Sequence, residues 1–235
     1  MSGQTRFKKI LFKISGEAFE EKNGRLSARK LGLIVSELRQ LQSLGVKTAL
    51  VCGAGNIIRG ITASKKHRQQ ADYRGMLATF KNIEALSQAL RKAKVRHQIF
   101  TSFSVKSEFY PVFNCQQANR AWQKNNIIII GGGTGYPFFS TDTAAVLRSL
   151  ELSVELLVKA TKVDGVYTAD PVKEKKAKKY TTLSYTKFIE QNLKVMDLTA
   201  IALALPNRLP IRVIKWEPGN VIKVALGKNL GTIIK

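Results

Sequence analysis

Short apolar segments alternate with longer amphipathic ones along most of this chain, and this alternation constrains the fold more than any other feature. Residues 127–130 are four consecutive isoleucines, which is typical of a strand buried on both faces. Residues 27–44 instead repeat apolar side chains at helical spacing, with Ser27 as N-cap and Gly45 just past the end. Strands that alternate with helices favour a mostly parallel sheet flanked by helices on both faces, so the sequence predicts an α/β fold.

The same patterns predict the other elements and their organisation. No internal repeat and no linker rich in Pro, Gly or Ser is present, so we predict a single domain over residues 1–235. Ligands of such sheets bind beyond the carboxyl ends of the strands, which predicts two lobes around a cleft. The predicted strands are 7–15, 46–52, 95–101, 127–130, 156–160, 211–215 and 231–234, and the predicted helices are 27–44, 73–93, 119–123 and 143–150.

Composition excludes several classes of protein. The chain has 235 residues, of which 44% are hydrophobic and 23% charged, and no apolar run approaches the ~18 residues of a membrane span. Residues 1–9 lack the zones of a secretory signal, which predicts a cytoplasmic location. Cys52 and Cys115 do not lie near a histidine at ligand spacing, so neither a disulfide framework nor a zinc site is predicted.

The net charge is unusual. Thirty-nine Lys and Arg against 16 Asp and Glu give +23, which favours a polyanionic partner. Basic clusters occur at residues 65–68 and 173–179, but the other basic residues are spread along the chain without interleaved aromatic residues. Nucleic-acid binding therefore stays an alternative, and we do not expect it as the main function.

Three predicted strands end in turns suited to phosphate. These turns are residues 14–16, 53–56 and 131–135, and each can present backbone N–H groups to an anion. One glycine turn is weak evidence, but three at strand ends favour a phosphate site. The chain contains neither G-x-x-x-x-G-K-[ST] nor a G-x-G-x-x-G that opens a helix, so a Walker-type NTPase and a dinucleotide fold are disfavoured.

Lys13 and Lys159 lie at the ends of apolar strands, where a cation costs desolvation unless an anion meets it. Phosphoryl transfer explains such lysines, because the reaction needs charge neutralisation and positioning. An acceptor phosphate has a second pKa near ~6 and needs no general base. The alternative is that both lysines extend past the sheet end into solvent.

The five aspartates all lie beside candidate site segments, whereas glutamates fill the ordinary surface. Asp142 is equally consistent with capping the helix that follows it, and Asp164 with a turn. The aspartates are Asp72, Asp142, Asp164, Asp170 and Asp197.

Six segments in collinear order from Lys8 to the C-terminus together resemble the bacterial UMP kinases of the amino acid kinase superfamily. The longest of them is KATKVDGVYTADP at 159–171. The others are KISGEA at 13–18, NIIRG at 56–60, Asp72 with GMLAT at 75–79, Thr134-Gly135 with PFF at 137–139 and Thr141-Asp142, and KVMDL at 194–198.

The resemblance implies transfer of the γ-phosphoryl of ATP to UMP, giving UDP in pyrimidine nucleotide biosynthesis. It further implies Mg²⁺ bound with ATP, a homohexamer, and an N-terminal lobe for UMP with a C-terminal lobe for ATP. Lys13 and Lys159 would be the catalytic cations, and Asp197 would orient them. No protein ligand to a metal is implied.

The resemblance also implies two sets of contact residues. The ATP set is Lys13, Ile14, Ser15, Gly16, Gly55, Arg59, Thr161, Tyr167 and Asp170. The UMP set is Ala54, Asp72, Thr134, Gly135, Tyr136, Pro137, Phe138, Phe139, Ser140 and Thr141.

Two positions depart from the family pattern. The family usually has glycine where this chain has Ala54, whose methyl group could crowd the UMP phosphate or require a negative φ. It usually has asparagine where this chain has Tyr136. Another phosphotransferase of the superfamily, with a different acceptor, therefore stays an alternative. The segment 20–25 is too unlike the family pattern to predict regulation by GTP.

Overall fold

The computed structural model describes residues 5–21, 26–57, 67–104, 110–171 and 173–235. None of the helices in these ranges is both long and apolar enough to cross a membrane. A 3-10 helix, Gly16–Phe19, follows the first strand. The strands are β1 (Lys9–Ile14), β2 (Lys47–Cys52), β3 (His97–Thr101), β4 (Ile127–Gly131), β5 (Leu156–Thr161), β6 (Val166–Tyr167), β7 (Lys179–Tyr180), β8 (Thr182–Leu183), β9 (Ile211–Lys215) and β10 (Thr232–Ile234). The helices are α1 (Ala28–Ser43), α2 (Arg68–Lys92), α3 (Cys115–Gln123), α4 (Thr141–Glu151), α5 (Tyr185–Glu190), α6 (Leu198–Ala204) and α7 (Asn220–Ala225).

Within the described residues, one eight-stranded sheet carries the fold, in the order β3-β4-β2-β1-β5-β9-β10-β8. The strands from β3 to β9 pair in parallel, β10 runs antiparallel to β9, and β8 is parallel to β10. A small antiparallel hairpin, β6-β7, stands apart from this sheet. The predicted, mostly parallel sheet is confirmed.

Helices cover both faces of the sheet, as predicted. On one face, Ile10, Phe12 and Ile14 of β1 pack in a cluster with side chains of α1, α2 and α7. On the other face, Leu11 of β1 and Leu157 of β5 pack with side chains of α3, α4, α5 and α6. The apolar strands are therefore buried from both sides, which is why they read as continuous hydrophobic runs.

Helix ends follow local capping chemistry. The Ser27 side chain accepts a hydrogen bond from Lys30 N at 3.3 Å, and Gly45 has a φ of 72°, so both predicted ends of α1 are confirmed. α2 begins at Arg68, five residues before the predicted start at 73, and α3 begins at Cys115 because Asn114 caps it. The elements α5, α6, α7, β6, β7 and β8 were not predicted because each is too short to show a period.

Candidate active site

Strand pairing places two lysines side by side. Lys13 of β1 is the register partner of Lys159 of β5. Successive side chains of a strand point to opposite faces. Both lysines therefore share the face of Leu11 and Leu157, which is the face that α4 covers. A one-residue shift between the strands would separate the two ammonium groups.

Asp142, in the first turn of α4, meets both lysines. Its Oδ1 lies 3.0 Å from Lys13 Nζ, as an ion pair without hydrogen-bond geometry, and its Oδ2 accepts a hydrogen bond from Lys159 Nζ. The side chains of Lys13, Lys159 and Asp142 are only 11%, 8% and 12% exposed. Neither lysine extends into solvent, so that alternative is wrong.

This cluster holds an excess of positive charge in a poorly hydrated place. Burial alone would raise the pKa of Asp142, but the charges of Lys13 and Lys159 outweigh it and hold that pKa well below its usual range. Burial and the neighbouring Lys13 charge lower the pKa of Lys159, while Asp142 opposes that shift. Two cations and one carboxylate leave a net charge of about +1 for an incoming anion.

The cap of α4 is Ser140. Its Oγ accepts hydrogen bonds from Asp142 N at 2.9 Å and Thr143 N at 3.3 Å. The alternative in which Asp142 caps this helix is therefore wrong. In the described structure the Asp142 carboxylate has no backbone donor and points at the two lysines instead.

Asp197 is linked to the lysines through the start of α4. It caps α6 by accepting from Ala200 N at 2.8 Å, and it accepts from Ser140 Oγ and from Thr143 Oγ1, the latter at 3.1 Å. Among the described residues, the carboxylate that contacts both lysines is Asp142. The orienting role expected of Asp197 therefore has to act through the first turn of α4 and through its charge near Lys159.

The glycine turns after β1 and β2 touch each other. A Cβ atom on Gly16 would lie 2.1 Å from Asn56 Oδ1 and 2.8 Å from Gly55 N, so only glycine fits there. Gly53 N also donates to Ile14 O at 2.9 Å. The two turns form one continuous backbone surface beside Lys13.

These elements enclose a cavity of 540 Å³ at the carboxyl ends of the strands, which we call the cleft cavity. Half of its lining residues belong to the predicted site and half do not. The predicted ones are Lys13, Ser15, Gly16, Ala54, Gly55, Asp72, Phe139, Ser140 and Thr141. The others are Glu17, Gly53, Arg68, Gly75, Met76, Thr79, Gly133, Asp142 and Lys194.

Asp72 joins two walls of the cleft cavity. Its Oδ2 accepts from Arg68 Nε at 2.6 Å and from Phe138 N at 2.8 Å. Phe138 has a φ of 71°, an unfavourable backbone conformation that this hydrogen bond helps to hold. The predicted residues Thr134, Gly135, Tyr136, Pro137 and Phe138 run beside the cavity and do not line it.

Tyr136 and Phe138 are 70% and 63% exposed, whereas Thr134 is buried and its Oγ1 hydrogen-bonds to the backbone of Tyr136. The segment thus presents two aromatic rings to solvent. Ala54 is 6% exposed and is not among the described residues with positive φ, so its methyl group costs no backbone strain.

The remaining ATP-set residues lie elsewhere. The Ile14 side chain is in the core, so only its backbone can reach a ligand. A second cavity of 610 Å³ lies beyond β5, and Thr161, Tyr167 and Asp170 are not part of its lining. Thr161 ends β5, Tyr167 donates a hydrogen bond to the lining residue Asp164, and Asp170 lies three residues beyond β6. Arg59 lies outside the described residues. This second cavity is lined by Lys162, Val163, Asp164, Lys179, Ile214, Lys215, Glu217, Asn220, Lys223, Leu230 and Gly231.

Two of the missed lining residues left a signal in the sequence. Arg68 stands four residues before Asp72, which is the spacing of a helical ion pair, and Lys194 opens the KVMDL segment. Met76 and Thr79 lie in the GMLAT segment and Gly133 lies in the predicted turn 131–135, but only the packing of α2 against β4 brings them to the cavity.

The described residues contain no group of three His, Cys, Asp or Glu side chains that could hold a metal ion. Both Asp142 oxygens face lysines. These residues therefore suit a cation that arrives with phosphate oxygens better than one held by protein ligands alone.

Comparison with known proteins agrees with this architecture. Residues 8–215 match the model of the amino acid kinase family. A protein named uridylate kinase from Wolinella succinogenes is 44% identical over 231 residues, covering 96% of this chain and 95% of that protein.

Solved structures are similar as well. The crystal structure of a UMP kinase from Bacillus anthracis superposes with a TM-score of 0.92 at 33% identity, covering 97% of this chain and 96% of that one. A UMP kinase structure from Ureaplasma parvum gives a TM-score of 0.90 at 29% identity, covering 98% and 99%.

Proposed function

The chain belongs to the amino acid kinase family, and from that premise we propose that it is an ATP-dependent UMP kinase that transfers the γ-phosphoryl of ATP to UMP. The observation that carries the proposal is the buried pair of lysines on one carboxylate at the end of the parallel strands. Such a pair supplies positive charge where negative charge is transferred, which is the main requirement of phosphoryl transfer.

In this proposal the protein positions the phosphates of the two substrates and neutralises their negative charge. Lys13 and Lys159 meet the phosphoryl oxygens, and Asp142 holds both ammonium groups in place. The turns at Gly16 and Gly55 offer backbone N–H groups to the donor phosphates. No side chain has to remove a proton, because the acceptor phosphate is largely deprotonated at pH 7.

The two substrates are assigned to the two halves of the chain. The N-terminal half supplies α2, whose Asp72 faces the cleft cavity and suits a ribose hydroxyl of UMP. The C-terminal half supplies the second cavity, next to Tyr167 and Asp170, for the nucleoside of ATP. The γ-phosphate would then lie between them, at Lys13 and Lys159.

Magnesium is proposed as a partner of the ATP phosphates, whose negative charge it would help to neutralise when bound. A homohexamer and a cytoplasmic location, which the resemblance implies, are proposals too. Sedimentation of the purified protein would test the hexamer.

Two observations favour a second candidate within the family. Ala54 adds a methyl group to the lining of the cleft cavity, and Tyr136 adds a large exposed ring three residues from Gly133 and from Phe139, which both line it. Either could change the acceptor. Nucleic-acid binding rests only on the net charge of +23 and would have to weaken steeply with salt.

The test is a coupled assay of ADP release from magnesium-ATP, with UMP, CMP and dTMP as separate acceptors. Lys13→Ala is measured beside Lys47→Ala, a control that removes an exposed lysine from the start of the neighbouring strand. Activity with UMP that only Lys13→Ala abolishes supports the proposal. A folded protein inactive with UMP but active with another acceptor would replace it by the second candidate.

A further inference from the structure

Helix α2 touches two of the three glycine turns through buried polar side chains. Thr79 and Asn82 are 2% and 0% exposed and lie three residues apart, so they share one face of the helix. Each hydrogen-bonds to a different turn. Neither is among the contact residues assigned from the sequence, although Thr79 ends the GMLAT segment.

Thr79 holds the turn after β4. Its Oγ1 accepts a hydrogen bond from Gly132 N at 2.8 Å and donates to Met76 O at 2.7 Å. The Thr79 hydroxyl thereby donates a hydrogen bond within the helix and accepts one from the turn. Gly132 has a φ of 85°, so this N–H direction depends on a conformation that favours glycine.

Asn82 holds the turn after β2. Its Nδ2 donates to Gly53 O and to Asn56 Oδ1, both at 2.9 Å, and its Oδ1 accepts from Asn56 Nδ2 at 3.1 Å. Gly53 O can only accept, which fixes the orientation of the Asn82 amide. Both of its N–H groups and its oxygen therefore have partners within the turn.

The two turns follow the neighbouring strands β2 and β4 and reach the cleft cavity at the same edge of the sheet. Gly53, Ala54 and Gly55 line the cleft cavity next to Gly16, and Gly133 lines it from the turn after β4. The same helix carries Asp72 into the cavity. A rotation or shift of α2 would thus move both turns and Asp72 together.

We propose that Thr79 and Asn82 are positioning residues of the phosphotransfer reaction, which hold the two neighbouring glycine turns in place at the wall of the cleft cavity. This inference rests on the proposed UMP kinase function. Thr79 belongs to the lining of the cleft cavity and Asn82 does not. Both act through hydrogen bonds that hold the turns.

The main experiment compares Thr79→Val with Thr79→Ser. Valine keeps the shape and removes the hydroxyl, whereas serine keeps the hydroxyl, so only valine releases Gly132 N. We expect Thr79→Val to lower kcat/KM for UMP by about 10-fold, chiefly through KM, because small misplacements of a positioning group cost up to ~100-fold. Thr79→Ser should stay within about twofold of wild type, as should the KM for ATP in both variants.

Asn82→Ala provides the second arm. Its turn contains Ala54 and borders Gly16, so we expect kcat to fall by about 10-fold with both substrates saturating. Ser87→Ala is the matched control. Ser87 is a buried polar residue of α2 whose Oγ bonds His97 Nε2 at 2.7 Å, away from the cleft cavity, and its loss should leave kcat and both KM values unchanged.

Amide hydrogen exchange gives a readout that does not depend on catalysis. We expect faster exchange of residues 131–135 in Thr79→Val and of 53–57 in Asn82→Ala, with wild-type exchange in Thr79→Ser and Ser87→Ala. If the wild-type protein were inactive with UMP, the proposed function would fail. Hydrogen exchange would still show whether Thr79 and Asn82 hold the two turns. Thr79→Val equal to Thr79→Ser in kinetics and exchange would overturn the inference.

Discussion

The two cavities of this protein use charge in different ways. In the cleft cavity, Lys13, Lys159 and Asp142 are at most 12% exposed, and strand register fixes their positions. In the second cavity, the pair Lys179 and Asp164 is 41% and 49% exposed. Desolvated charges interact strongly and stay in place, whereas exposed ones are screened and mobile. The first arrangement suits chemistry, and the second suits binding.

The pKa values follow the same division. In the cleft cavity, burial opposes the lysine charges at Asp142, and the lysines prevail. In the second cavity, hydrogen bonds from Lys179 and Tyr167 lower the pKa of Asp164 with little burial to oppose them. The charges that meet a substrate anion are therefore desolvated in the cleft cavity, whereas those of the Lys179–Asp164 pair in the second cavity are exposed.

The largest effect should come from Lys159→Met. It removes a buried cation of the cleft cavity and leaves Asp142 paired with Lys13, so the protein should fold. We expect kcat to fall by about 100- to 1,000-fold, the scale of losing one preorganised electrostatic group. Steady-state kinetics with UMP and magnesium-ATP measure it. A fall of less than fivefold in a folded variant would mean that the buried charges of the cleft cavity have no larger role in catalysis than the exposed charges of the second cavity.

Asp142→Asn should affect stability as well as rate. Neutralising the shared carboxylate leaves two buried ammonium groups together, so we expect a loss of about 3 kcal/mol in the free energy of unfolding at pH 7. Urea denaturation measures it. Equal stability of variant and wild type at neutral pH would contradict the buried ion pairs.

The pH dependence gives a second test of Asp142. Its folded pKa is depressed, so its contribution is present above its ordinary value of 3.8 and is lost as pH falls further toward the folded pKa. The difference in unfolding free energy between wild type and Asp142→Asn should therefore shrink below that pH. A difference that stayed constant down to pH 3 would argue against a depressed pKa.

Asp197→Asn should have an intermediate effect. Asparagine is as good an N-cap as aspartate, so α6 should keep its stability. The hydrogen bonds to Ser140 and Thr143 would weaken, because a carboxylate is the stronger acceptor. We expect kcat to fall by about tenfold and the unfolding free energy to change by less than about 1 kcal/mol. Full activity of Asp197→Asn would show that the Asp197 carboxylate is not needed to position α4.

Lys179→Met should have the smallest effect. Exposed ion pairs contribute little, so we expect less than about 1 kcal/mol of lost stability. The KM for ATP should rise by about two- to fivefold at low salt and less at high salt, since screening already weakens this pair. A fall in kcat comparable to that of Lys159→Met would contradict the distinction between a catalytic cleft cavity and a second cavity that only binds.

The sequence predicted the framework and the strand-end position of the two lysines for a physical reason, whereas the ATP and UMP contact sets came from the family resemblance. Continuous apolar runs have to be strands covered on both faces, and Ser27 with Gly45 marks both ends of α1. Lysines at the ends of such runs indicate an anion site, and Lys13 and Lys159 do meet at the cleft cavity. These features are local, so neighbouring residues alone determine them.

Only the tertiary structure decided which groups meet. Capping by Ser140 frees Asp142 to pair with both lysines, and this depends on how α4 lies over the sheet. The contacts of Thr79 and Asn82 join α2 to turns that lie about 30 to 50 residues away in sequence. Such contacts follow from the packing of α2 on the sheet, and no periodicity along the chain encodes them.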